Sequence, residues 1–84
     1  MVGMVDVRCG REWFINFEVT SVVSIFAENE ESAVVVKISL VDGTCIEVSK
    51  HYDFDEAIKA VRKLRLLVYG GKSLLIDALR VVRR

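Results

Sequence analysis

Cys9, Cys45, His51, Tyr52 and Asp53 are the side chains in this chain whose chemistry could drive a reaction. A thiol can act as a nucleophile, an imidazole as a base, and a phenol or carboxylate as a proton relay. Only His51, Tyr52 and Asp53 lie close in sequence, and neighbours along a chain do not point the same way. His51 is the only histidine. Its spacing from Asp53 and Asp55 matches no metal motif, so it reads as a linker beside a helix cap. Cys9 and Cys45 read as free thiols, and a bridge between them would require their strands to adjoin. Gly70-Gly71-Lys72-Ser73 has the ending of a phosphate-binding loop, but a helix precedes it where a strand is needed. It reads as a turn between helices. The acidic run Glu28-Asn29-Glu30-Glu31-Ser32 reads as a solvated turn. No catalysis, cofactor or metal is expected.

Charge offers a second kind of chemistry. The net charge is zero, with 12 basic and 12 acidic side chains. Residues 1–56 hold 4 basic and 11 acidic side chains, a balance of −7, while residues 57–84 hold 8 and 1, a balance of +7. Such asymmetry suits nucleic-acid contact, here through Lys59, Arg62, Lys63, Lys72, Arg80 and Arg83. It equally suits attraction between the two halves, within one chain or between chains. The acidic half would repel a polyanion, and no RNA-binding signature accompanies the basic residues. Nucleic-acid binding is therefore the second reading.

These side chains must be positioned by strands first and helices afterwards. Fifteen valines among 84 residues favour strands. Residues 4–9 partly alternate and read either as a frayed strand or as an unstructured arm. Alternation predicts strands over 12–19, 21–27, 33–40 and 44–50. In the first of these Trp13, Ile15, Phe17 and Val19 share a face, which makes Trp13 and Phe17 core anchors. Between the last two, a three-residue loop with Gly43 in the left-handed region pairs Leu40 with Thr44, Ile38 with Ile46 and Val36 with Val48. That register keeps one apolar face, whereas a two-residue loop would set Ile38 beside Glu47.

A helix is predicted over 53–69, with Asp53 and Glu56 as a capping box and Gly70-Gly71 as the stop. Its apolar side is Phe54, Ala57, Ile58, Val61, Leu64 and Val68. Leu66 and Leu67 widen the apolar surface near its end. A second helix is predicted over 73–83, capped by Ser73 and apolar around most of its circumference, which requires cover on most sides.

The chain thus reads as a single α+β domain, residues 1–84. A mostly antiparallel β-meander of about four strands is followed by two C-terminal helices, the first packed on one sheet face. A body of 84 residues has little material left to cover the last helix. The first functional expectation is therefore a small interaction module, a homodimer or larger assembly, using Leu74, Leu75, Ile76, Leu79 and Val82. A separate protein partner is the variant of that reading. There is no secretory signal and no apolar run long enough to span a bilayer, so a cytoplasmic, non-membrane protein is expected. The absence of Gln and the excess of Arg over Lys lean towards a thermophilic source, although the absence of Pro does not.

Overall fold

The structure is a computed structural model and describes residues 3–83. Its centre is the alternating run Val34, Val36, Ile38 and Leu40, all buried. This strand, β4 (Ala33–Leu40), lies between β3 (Val22–Glu30) and β5 (Cys45–His51), both antiparallel to it. Leu40 N–H donates to the Thr44 carbonyl, Gly43 N–H donates to the Leu40 carbonyl, and Ile38 pairs with Ile46. Gly43 has φ +91°, so the left-handed three-residue turn is present. The expected Val36–Val48 pair is not. A bulge places Val36 opposite Ser49 and Lys37 opposite Glu47, leaving Val48 as the extra residue.

The helix α1 (Phe54–Val68) follows, with Asp53 as its N-cap. The Asp53 carboxylate accepts from Asp55 N–H at 3.0 Å, while Glu56 turns to Lys59 instead of closing a capping box. Ala57, Val61, Leu64 and Val68 are buried, whereas Phe54 is exposed. Gly71 has φ +80°, and a Cβ at Gly70 would lie 2.9 Å from the Leu66 carbonyl oxygen, so both glycines are needed where the helix stops.

The expectation of four strands and two C-terminal helices is overturned. Among the described residues there are seven strands in two sheets, one α-helix and a 3-10 turn at Val19–Ser21. The alternating segment at the start is β1 (Met4–Cys9), with Val5 and Val7 fully buried. It is the middle strand of a three-stranded sheet, antiparallel to β2 (Glu12–Glu18) and parallel to β6 (Leu74–Asp77). The second sheet has the order β3-β4-β5-β7, with β7 at Arg80–Val82. The acidic run expected as a loop is instead the end of β3, where Asn29 and Glu30 pair with Val34 and Ala33. Only Glu31 and Ser32 turn, and Glu31 takes φ +53°. β1 and β5, which carry the two cysteines, belong to different sheets and do not pair, so the condition for a Cys9–Cys45 bridge is not met.

The predicted second helix is instead two short strands, β6 in the first sheet and β7 in the second, joined by Ala78 and Leu79. Leu74, Ile76, Ala78 and Val81 face the core, while Leu75, Asp77, Leu79, Arg80 and Val82 face outward. Ala78 N–H donates to the Arg8 carbonyl of β1 at 2.8 Å, and Leu79 N–H donates to the Glu47 carbonyl of β5 at 2.8 Å. These consecutive amides bond one strand of each sheet, so the connection between β6 and β7 ties the two sheets together. The apolar residues that seemed to encircle a helix are the inner side of this segment, plus three outer positions. Val5, Val7, Phe17 and Ile76 meet Ile25, Val36, Ile38 and Ile46 and the buried side of α1 in one core.

Candidate interaction surface

The five residues with catalytic potential have separate local duties. Cys9 ends β1 and Cys45 opens β5. The His51 Nε2 shares a 2.8 Å hydrogen bond with the Ser49 hydroxyl, Asp53 caps α1, and Tyr52 is exposed. No group of three or more His, Cys, Asp or Glu side chains among the described residues could hold a metal ion.

The outward face of the second sheet carries a charged ladder. Lys37 lies opposite Phe26 on one side and Glu47 on the other, and Glu47 lies opposite Arg80. Lys37 and Glu47 are buried. The Lys37 Nζ sits 3.1 Å from Glu30 and 3.5 Å from Glu28, and the Arg80 Nε sits 2.7 Å from Glu47. Burial alone would lower the Lys37 pKa, but the Glu30 hydrogen bond and the charges of Glu28, Glu30 and Cys45 raise it above the usual 10.5. An open hollow of about 480 Å³ lies beside this ladder, with Val35, Glu47, Lys50, Leu79 and Arg80 in its lining. Its lining carries charges of both signs; Glu47 and Arg80 pair, while the buried Glu30 Oε2 lies beside Lys37 with no well-aligned hydrogen bond.

The residues expected to mediate association are divided between inside and outside. Ile76 is buried and Leu74 half-buried, both packed on the core. Leu75, Leu79 and Val82 are exposed. Leu75 lies opposite Asp6 on the outer face of the first sheet. Leu79 borders the charged hollow.

The six candidate nucleic-acid contacts do not form one surface. Lys59, Arg62 and Lys63 lie on the exposed side of α1, and Lys72 lies beyond its end. Arg80 is on the opposite face of the second sheet from α1, held by Glu47. Arg83 donates to the Phe14 carbonyl of β2 at 3.3 Å.

A bulge supplies the most exposed aromatic of the first sheet. Val7 pairs with Ile15, but Arg8 pairs with Trp13, so Phe14 is the extra residue. Ile15 and Phe17 therefore keep the inner face while Trp13 is turned outward beside Arg8. Trp13 is 67% exposed, and Phe14 is exposed too. The expectation of Trp13 as a core anchor is thus corrected, while Phe17 is buried as expected. On the outer face around Trp13, the Asn16 amide donates to Asp6, and Arg8 bonds Asp77 at 2.9 Å. At the end of α1, Leu66 is 78% exposed, and Leu67 and Tyr69 are exposed beside it. A shallow hollow of about 300 Å³ lies there, lined by Leu66, Leu67, Gly70, Lys72, Ser73 and Leu74. The signal for Trp13 and Phe14 was their adjacency, since two consecutive aromatics on a strand cannot both enter the core.

No described helix is long and apolar enough to cross a membrane. Compared with known proteins, the chain matches no family model, no curated protein and no solved structure.

Proposed function

We propose that this chain is a small protein-interaction module that self-associates through exposed apolar side chains. The observation that supports this is the number of such side chains for its size. Among the described residues, 12 large hydrophobic side chains are exposed, including Trp13, Phe14, Leu66, Leu67, Leu75 and Leu79. The accessible surface is 5588 Å², against about 5,000 Å² expected for a compact monomer of 9.5 kDa. Trp13 with Phe14 and Leu66 with Leu67 each border a common hollow, and contiguous apolar exposure is characteristic of association surfaces. The motive no longer lies in a C-terminal helix, because that segment is two short strands half covered by their own core. A cytoplasmic homodimer is the simplest form of the proposal.

Sedimentation equilibrium tests it. The expected result is a dimer at micromolar concentration, and a clean monomer up to about 100 μM overturns the reading.

Nucleic-acid binding is the second reading, favoured by the grouping of Lys59, Arg62 and Lys63 on one side of α1. It ranks lower because Arg80 and Arg83 are directed elsewhere. Titration with single- and double-stranded oligonucleotides at low and moderate salt distinguishes it. Binding that weakens steeply with salt supports it, and no binding at low salt removes it.

A further inference from the structure

We propose that two copies pair by seating the outer face of the first sheet of each on the C-terminal end of α1 of the other. This rests on the reading of the chain as a self-associating module and names the contact.

Each patch presents bulky side chains that its own chain leaves uncovered. Trp13, Phe14 and Leu75 project from the sheet, and Leu66, Leu67 and Tyr69 project from the helix end. The shallow hollow beside Leu66 and Leu67 offers a seat for an aromatic ring. Aromatic anchors with an arginine beside them are the side chains that dominate association energies, and Trp13 lies opposite Arg8.

Charge decides which surface meets which. The outer face of the first sheet carries Asp6, Glu18 and Asp77 against Arg8, with Arg83 at its edge on the Phe14 carbonyl, so it stays net acidic. The helix end carries Arg62, Lys63 and Lys72, and neither Lys63 nor Lys72 joins an ion pair among the described residues. Sheet against helix therefore attracts, while sheet on sheet or helix on helix repels.

Leu74 lines the helix-end hollow, and Leu75, the next residue of β6, points to the sheet's outer face, so β6 carries an edge of each patch. The pairing proposed is closed and isologous, each copy giving one patch and receiving the other about a two-fold axis. Strand addition at the edge of β3 is the competing geometry. Leu40 directs its amide and carbonyl towards the β5 turn. The antiparallel alternation then sends the backbone groups of Ile25, opposite Ile38, to the open edge. The Arg65 guanidinium already occupies the Ile25 carbonyl there at 2.8 Å, which blunts that edge.

The test is sedimentation equilibrium of the full chain and four variants: Trp13→Ala, Leu66→Ser with Leu67→Ser, Lys63→Glu with Lys72→Glu, and Tyr52→Ala as a control. Circular dichroism verifies that each is folded. The first three are expected to weaken the dimer at least about tenfold, and the control by less than about twofold. Mixing the Trp13→Ala and Leu66→Ser/Leu67→Ser chains restores one intact contact, so their heterodimer should be at least about tenfold tighter than either homodimer. Should one apolar variant fail to fold, the Lys63/Lys72 reversal, placed on exposed side chains, carries the decision. A wild-type dimer indifferent to the folded variants, or a mixture with no heterodimer, overturns this contact and leaves the module reading standing. A wild-type monomer overturns both.

Discussion

Replacing Ile76 and, separately, Leu75 by alanine tests whether residues 74–77 form a strand with an inner and an outer side. Ile76 is 5% exposed in the core, and Leu75 is 45% exposed on the outer face. Removing a buried isoleucine to alanine costs about 2–5 kcal/mol, depending on how far the site collapses. β6 is four residues long and pairs only with β1, so its surroundings can relax. The lower part of that range, about 2–3 kcal/mol, is expected. Leu75 forfeits roughly half of a full side-chain burial, about 0.8–1.5 kcal/mol. For a chain of this size, Ile76→Ala should lower Tm by about 10–20 °C and Leu75→Ala by about 3–12 °C. The assay is urea and thermal unfolding followed by far-ultraviolet circular dichroism, in a Trp13→Ala background so that association does not add to stability. The midpoint should move with little change in slope. On a helix apolar all round, the two substitutions would cost about the same. Equal losses would therefore refute the alternation.

Gly43→Ala should destabilise by about 1–2 kcal/mol, because φ +91° lies where a Cβ is penalised; an unchanged melting temperature would contradict the turn. Glu31→Gly should raise Tm by a few degrees, since it relieves a left-handed non-glycine residue at φ +53° and gives back only part in chain entropy. A fall in Tm would show that Glu31 earns its conformation by a contact. The Lys37 pKa is raised on folding, so its stabilisation is complete below the unfolded value of 10.5 and is lost as pH rises through the higher folded value. Wild type should therefore lose stability relative to Lys37→Met above about pH 10.5, read from urea midpoints across pH 8–12. A constant difference across that window would contradict the Glu28–Lys37–Glu30 arrangement.

The sequence was legible where period and turn chemistry agreed. Val34 to Leu40, Gly43 and the Asp53-capped helix were placed by alternation, a left-handed glycine and an N-cap, all local signals. The misreadings have physical causes of two kinds. Three bulges each insert one residue without interrupting the chain's composition: Phe14 in β2, Val23 in β3 and Val48 in β5. A period-two argument carried across a bulge assigns every residue beyond it to the wrong face, which is why Trp13 was expected inside. The second cause is long range. Leu74-Leu75-Ile76 is as compatible with a helix as with a strand when read alone. What decides it is β1, nearly seventy residues earlier, whose open edge needs a parallel partner. The candidate surface was legible in the same uneven way. Of the five residues named for association, Leu75, Leu79 and Val82 are exposed, Leu74 is half-buried and Ile76 is core, while Trp13 reaches the surface through a bulge.

The opposite charges of the two halves can now be divided between the chain and its surface. Among the described residues three ion pairs cross the division: Arg8 with Asp77, Glu56 with Lys59, and Glu47 with Arg80. Glu47 with Arg80 follows the asymmetry and sits where β7 joins β5, whereas Arg8 with Asp77, between β1 and β6, has the opposite sense. Arg62, Lys63 and Lys72 take no part in that and remain around the exposed Leu66 and Leu67. Long-range attraction between such exposed charges is screened within about 8–10 Å at ordinary ionic strength, whereas apolar burial is not. If the sheet face and helix end pair as proposed, salt should slow assembly more than it speeds dissociation. The Lys63→Glu/Lys72→Glu chain should lose that dependence, and Trp13→Ala should keep it while dissociating faster. Stopped-flow dilution at two salt concentrations separates the two contributions. A salt dependence unchanged by the lysine reversals would place the attracting charges elsewhere on the chain.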